Sequence, residues 1–361
     1  MKAWQIQKHG GPEVLKRIDI SSRIPGPHEA KIRVEAVGLN HLDLWVQKGV
    51  PGHKFPLPMI PGCDISGVIT EFGPGPGSIP GTGTANSQGL QKDLQIGSPV
   101  IINPGTSCGR CEACLSGFDP LCRYYGIIGE TQDGGCTEEV IVPIQNLIPR
   151  PASISAVQGA CLPIPFLTAW TMLTRKASLR PGETILIQAG GSGVSTAAIQ
   201  IAKMLGATVI TTVGSDSKAL KAKALGADFV IQYKNAPFRE EVKKITQSLG
   251  KKGCEIVIDH IGADTFQDSL KCLSWGGRFV TCGATSGGNV ELDLKAVFFK
   301  NLSILGSTMG SKADMIRIVD LVAQGKLKPI VDSVFPMSDL PKAFEKLEAR
   351  DVFGKVILQS E

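Results

Sequence analysis

The chain has 361 residues, 42 % hydrophobic and 20 % charged, ordinary for a globular protein with room for two cores. Its formal charge of +5 is spread thinly with no dense basic run, which argues against nucleic acid and for a small anionic ligand. The N-terminal MKAWQIQKHGGPEVLK lacks the apolar core of a signal peptide, and no uninterrupted apolar run is long enough to span a bilayer, so a soluble cytoplasmic protein is expected.

The first 150 residues are rich in Gly, Pro and short β-branched stretches. KIRVEAVGL, SGVITEFG and SPVIINP read as strands separated by turns, so this part is expected to be mostly β. Residues 73–93, GPGPGSIPGTGTANSQGLQKD, are low in complexity and predict an exposed loop.

The run CGRCEACLSGFDPLC follows, with Cys108, Cys111, Cys114 and Cys122 separated by two, two and seven residues. Short spacers let a tight loop deliver thiolates to tetrahedral corners, so one structural zinc is expected, whose binding free energy folds its own lobe over 103–125. An iron–sulfur cluster and disulfides are the alternatives. The other cysteines, Cys63, Cys136, Cys161, Cys254, Cys272 and Cys282, are scattered, several within apolar runs, as suits buried free thiols.

From Thr184 the texture becomes strand, glycine turn, helix and strand: TILIQA, GGSGVS, TAAIQIAKMLG, ATVITTV, KALKAKALGAD and FVIQY. The rhythm continues through CEIVIDHIG, DTFQDSLKCLS, GGRFVTCGA and LSILGS, predicting a doubly wound parallel sheet with helices on both faces. At its first turn, Gly190, Gly191 and Gly193 let backbone approach a pyrophosphate, and the following helix N-terminus, with Ser192 and Val194, offers free N–H groups. Ser192 and Ser195 stand where glycine is usual, so the motif is imperfect. The next strand ends at Val213, Gly214 and Ser215, followed by Lys218, with no acid to hold a ribose 2′-hydroxyl. NADPH is therefore favoured, with NADH as the alternative. Asp216 would weaken phosphate binding if it pointed inward.

With both motifs in hand, the chain resembles the medium-chain dehydrogenase/reductases over essentially its whole length. GGPEVL, VGLNHLDLWVQKG, PGCDISGVI, GGCTEEVIVP, FLTAWTML, LGAD, VIDHIG and FGKVIL carry the resemblance alongside the cysteine lobe and the glycine turn. It implies a GroES-like β domain over 1–152, a Rossmann domain over 153–305 and a C-terminal return to the first domain over 306–361. It also implies a cleft between domains and a homodimer or homotetramer. For the cofactor it suggests His41 near the pyrophosphate, Tyr233 near the adenine or 2′-phosphate, Gly262 and Ser307 near the carboxamide, and Thr168 as a further contact.

Zinc alcohol dehydrogenases of this family hold a catalytic zinc at three positions that here read Asn40, Cys63 and Ile164, with Leu42 replacing the proton-relaying hydroxyl and Asp64 keeping the acid. Asn and Ile cannot supply such a site, although Cys63 and Asp64 with His41 or Cys161 could build an irregular one. Without a Lewis acid, a conjugated acceptor is the easier substrate, because its charge delocalises as hydride arrives. The expectation is therefore an NADPH-dependent reductase of a quinone or enone, with Asn40 donating to the substrate oxygen or else forming a turn and hydrogen-bonding its own backbone, and Asp43 orienting a donor or capping a helix. The alternatives are a zinc-type alcohol dehydrogenase acting on an alcohol or aldehyde and a cofactor-binding scaffold with little turnover. Asp259 and His260 are neighbours on a strand and so point to opposite faces, against a catalytic pair.

Overall fold

A computed structural model describes residues 1–74 and 94–361, so nearly all of the low-complexity loop expected at 73–93 lies outside the described residues. In chain order the first part comprises β1 (Lys2–Ile6), β2 (Leu15–Asp19), β3 (Glu29–Gly38), α1 (His41–Lys48), β4 (Asp64–Phe72), β5 (Pro99–Ile102) and β6 (Gly105–Thr106). There follow α2 (Glu112–Leu115), β7 (Gly126–Ile127), β8 (Glu139–Pro143), β9 (Leu147–Pro149), α3 (Ala156–Gly159) and α4 (Pro163–Trp170). The alternating part runs β10 (Thr184–Ile187), α5 (Gly193–Met204), β11 (Thr208–Val213), α6 (Asp216–Ala224), β12 (Phe229–Gln232), α7 (Phe238–Ser248), β13 (Cys254–Ile258), α8 (Phe266–Lys271), β14 (Leu273–Thr281), α9 (Leu294–Lys300) and β15 (Ser303–Gly306). The chain closes with α10 (Lys312–Ala323), β16 (Val331–Pro336), α11 (Leu340–Glu348) and β17 (Lys355–Gln359).

Two compact units result. The first is Met1–Ile164 with Gly310–Glu361, the second Pro165–Met309. The first unit therefore extends past the boundary expected at 152, because the α3 segment packs on its sheet: Ala160 and Cys161 are buried with Ala36 of β3 and Ile357 of β17, against Ala156 and Val157. The strand β17 explains the return of the chain, since it pairs antiparallel with β3, Ile357 opposite Gly38. The sheet runs β16-β17-β3-β4-β5-β9, with β8 also on β3. Its apolar residues, among them Ile32, Ile65, Ile69, Val100 and Ile102, form the core of this unit.

The second unit is a parallel sheet in the order β12-β11-β10-β13-β14-β15. Because β10 is flanked on both sides, all four of its residues are buried, the continuous apolar signature of an inner parallel strand. The strand order reverses between β10 and β13, and in doubly wound sheets ligands bind outside the carboxyl ends at that crevice. Among the described residues, no helix is long and apolar enough to cross a membrane.

Candidate functional site

In the first unit the four expected cysteines converge: the sulfurs of Cys108, Cys111, Cys114 and Cys122 all lie within 4.8 Å of one another. Cys111 and Cys114 Sγ are 3.5 Å apart and Cys108 and Cys114 Sγ 4.0 Å, bracketing the ~3.8 Å edge of a tetrahedron with ~2.3 Å Zn–S bonds. Gly109, at φ +71°, turns the backbone within the first spacer. Hydrogen bonding from the Arg110 backbone pulls the Cys108 thiol down, while desolvation and the protons shared with Cys114 and Cys108 push Cys111 up, so the close sulfurs ionise together rather than singly. Backbone N–H groups of Cys108 and Tyr124 lie 3.5 and 3.4 Å from Cys122 Sγ. This donor set fits a closed structural zinc. Among the described residues, it is the only grouping of three or more His, Cys, Asp or Glu side chains able to hold a metal.

A second cluster forms where β3, α1, β4 and β17 meet. Lys355 Nζ donates to Asp64 Oδ2 at 2.9 Å, to Asn40 Oδ1 at 2.7 Å and to the Leu39 carbonyl at 2.6 Å, so its three protons are all taken. Lys355 and Asp64 are both buried, 4 % and 0 % exposed, where an unpaired charge would be costly. Asp64 Oδ1 also accepts the Ile164 backbone N–H at 2.8 Å. Asn40 Nδ2 donates to Asp64 Oδ2 at 3.0 Å and to the Gly38 carbonyl at 3.3 Å. Both amide protons of Asn40 therefore go to partners inside this network, one of them the backbone carbonyl of Gly38.

Asp43 sits at the third position of α1, where its Oδ2 accepts the Asn40 backbone N–H at 2.7 Å, a capping contact, which is one of the two roles the sequence left open for it. Its Oδ1 accepts the Gly62 N–H at 2.9 Å, tying α1 to the turn that carries Cys63. Desolvation pushes this fully buried carboxyl up to about 6, against the pull of the Asn40 N–H and of Lys355. Burial also drives the Cys63 thiol well above its ordinary range. His41 opens α1 and meets the Trp45 ring edge-on at 6.4 Å.

In the second unit most of the expected nucleotide contacts follow the carboxyl ends of neighbouring parallel strands: Gly190 to Val194 after β10, Ser215 and Lys218 after β11, Tyr233 after β12, Gly262 after β13 and Ser307 after β15. They share one edge of the sheet. Thr168 does not; it is buried within α4. Ser192 caps α5, its Oγ accepting the Ser195 N–H at 3.1 Å while its carbonyl takes the Thr196 N–H. The N–H groups of Gly193 and Val194 are thus left without an acceptor among the described residues, the arrangement an anionic phosphate suits. A side chain at Gly190 would strike Thr211, its Cβ 2.4 Å from Oγ1, so this turn requires glycine to lie against β11.

The Ser215 hydroxyl is spent capping α6. Asp216 accepts Gln232 Nε2 at 2.7 Å, and the Tyr233 ring, half exposed, brings its hydroxyl beside Gly214. Gly262 N–H leans on Asp259 Oδ1, and the Ser307 hydroxyl is buried without a partner among the described residues. That orphaned hydroxyl and the open α5 terminus fit a dinucleotide. Asp259 and His260 lie just past the end of β13 rather than on the strand expected for them, and they still part ways: Asp259 accepts the Ser269 hydroxyl at 2.6 Å, and His260 Nε2 lies 2.8 Å from Ser192 Oγ. Sequence reasoning did not find Lys355 or the Ser192–His260 contact. The one available signal for Lys355 was a lone cation opening the apolar run KVIL.

Two family descriptions match: "Alcohol dehydrogenase GroES-like domain" over residues 26–152 and "Zinc-binding dehydrogenase" over 193–324. The chain is 28 % identical to the NAD-dependent alcohol dehydrogenase of Sulfolobus acidocaldarius, over 99 % of both chains. It is 27 % identical to the human quinone oxidoreductase, over 99 % of this chain and 97 % of that one. A crystal structure of an NAD-dependent alcohol dehydrogenase is 46 % identical and superposes with a TM-score of 0.90 over 99 % of both chains. With both domains matched and the whole length covered, the chain belongs to the medium-chain dehydrogenase/reductase superfamily of NAD(P)-dependent oxidoreductases.

Proposed function

We propose that the chain reduces a quinone or an α,β-unsaturated carbonyl with NADPH and without a catalytic zinc. The observation that carries this reading is the Lys355–Asp64–Asn40 network. Two of the three residues that stand, by resemblance, at catalytic zinc ligand positions are Asn40, locked to a buried ammonium and carboxylate, and Ile164, whose N–H is held by the same carboxylate. The third, Cys63, is a fully buried thiol that desolvation pushes above its ordinary range. Neutralising Asp64 with an internal cation removes the charge that would otherwise attract a metal.

A bound NADPH would supply hydride to the β-carbon of an enone and be left as NADP⁺, the saturated carbonyl being completed by a solvent proton. The α5 N-terminus would hold the pyrophosphate, with Gly193 and Val194 N–H groups as donors. The support for NADPH over NADH is that Val213, Gly214 and Ser215 at the end of β11 offer no acid to a ribose 2′-hydroxyl, although Asp216, hydrogen-bonded to Gln232, keeps its charge. Asp43 fixes the α1 entry and the Cys63 turn around the buried ion pair.

A zinc-type alcohol dehydrogenase is the second reading, favoured by the 46 % identity to a protein described as an NAD-dependent alcohol dehydrogenase. Reduction of cyclohexenone with dihydronicotinamide deuterated at C4 separates the two. Deuterium at C3 of saturated cyclohexanone supports the enone reading, whereas deuterium on the carbinol carbon of an allylic alcohol contradicts it.

The assembly is proposed to be a homodimer built on the second unit. Its edge strand β15 has one side of its backbone unpaired among the described residues, and Phe298 and Phe299 of the preceding α9 are 61 % and 63 % exposed, so a second copy would bury both.

A further inference from the structure

His260 follows β13, on the far side of the strand-order reversal from β11 and β12. Its Nε2 lies 2.8 Å from the hydroxyl of Ser192, inside the glycine turn. That hydroxyl accepts the Ser195 N–H and keeps its own proton to offer to Nε2. Where Nε2 accepts, a neutral imidazole carries its proton on Nδ1, the tautomer in which Nδ1 can donate to an anionic ligand. Burial favours that neutral form. Nδ1 is buried and has no partner among the described residues. Buried donors are seldom left unmet in folded proteins, and this one borders the turn that the dinucleotide would occupy.

Resting on the reading of the second unit as the dinucleotide site, we infer that His260 is a cofactor-binding residue, anchored through Nε2 to Ser192 and donating through Nδ1 to the dinucleotide beyond its AMP half. The assignment to that half follows from topology. In a doubly wound sheet the AMP moiety lies over the β11 and β12 side of the reversal, and the remainder lies over the β13 side. Asp259, though adjacent in sequence, takes no part, since its carboxylate is occupied by Ser269 and by the N–H groups of Ile261 and Gly262.

Two substitutions separate the two nitrogens. His260→Gln places an amide near Nε2 and keeps the Ser192 contact while deleting Nδ1. His260→Asn places its amide near Nδ1 and gives up Ser192. Dissociation constants for NADPH, ADP-ribose and 5′-AMP are to be measured by calorimetry on each full-length protein, with circular dichroism and Tm checking the fold. His260→Gln is expected to bind NADPH and ADP-ribose about tenfold more weakly, the loss of one hydrogen bond, with 5′-AMP unchanged. His260→Asn is expected to recover most of that loss. Unchanged ADP-ribose binding in His260→Gln overturns the inference, as does equal weakening of ADP-ribose and 5′-AMP, which would reduce His260 to a support for the turn. If the unaltered chain binds neither NADPH nor NADH, the dinucleotide reading itself fails, a distinct result.

Discussion

Lys355 Nζ and Asp64 Oδ2 lie 2.9 Å apart although 291 residues separate them in sequence. The pair joins the last strand of the chain to β4 in a fully buried setting. Removing one partner leaves the other charge buried and alone, so Lys355→Met is expected to cost about 3–5 kcal/mol. The double substitution Lys355→Met with Asp64→Leu should recover much of that loss. Guanidinium unfolding of the three proteins checks this, and an unchanged midpoint for Lys355→Met would contradict the pairing.

Asp43 makes stability depend on pH in a predictable direction. Its folded carboxyl is raised to about 6 from an ordinary 3.8. Between those values the folded chain holds a proton that the unfolded chain has released. Its contribution is therefore complete below about pH 4 and is lost as pH rises through 6, by about 2–3 kcal/mol. Asp43→Asn should remove this slope. The check is the difference between the two proteins' unfolding free energies at pH 4 and pH 7, with parallel curves counting against the account.

The cysteine lobe should hold one zinc per chain and depend on it locally. Cys114→Ser is expected to release the metal and expose 103–125 to protease while both sheets stay folded, because metal binding and lobe folding are one equilibrium. Metal analysis and limited proteolysis read the two effects. Retention of a full equivalent of zinc by the variant would contradict the assignment.

The proposed dimer makes β15 and α9 its seam. Phe298→Glu should shift the chain to a monomer in light scattering while leaving its circular dichroism unchanged, since the ring is 61 % exposed. An unaltered chain that runs as a monomer would contradict the seam.

What the sequence disclosed depended on how local each feature is. The cysteine lobe was legible because all four ligands fall within one short run, and the glycine turn because it sits between an apolar strand and a periodic helix. The parallel sheet was legible for the same reason, from β10 through β15. The Asp64–Lys355 pair was not, because nothing in FGKVIL indicates which distant carboxylate β17 will meet until β17 is paired with β3. The surroundings of Asn40 were hidden for the same reason: its amide protons go to Asp64 and Gly38, and Lys355 donates to its oxygen. The first unit runs past residue 152, where the resemblance began the Rossmann domain, because only the packing of the α3 segment against Ala36 and Ile357 assigns it to the first unit.

The most direct test of the central claim is zinc content per chain measured together with NADPH oxidation by 1,4-benzoquinone and by a simple primary aldehyde in the same buffer. One zinc with quinone turnover and no aldehyde turnover is the result predicted. Two zincs with aldehyde turnover would contradict it, showing that Cys63 and its neighbours build a catalytic metal site after all.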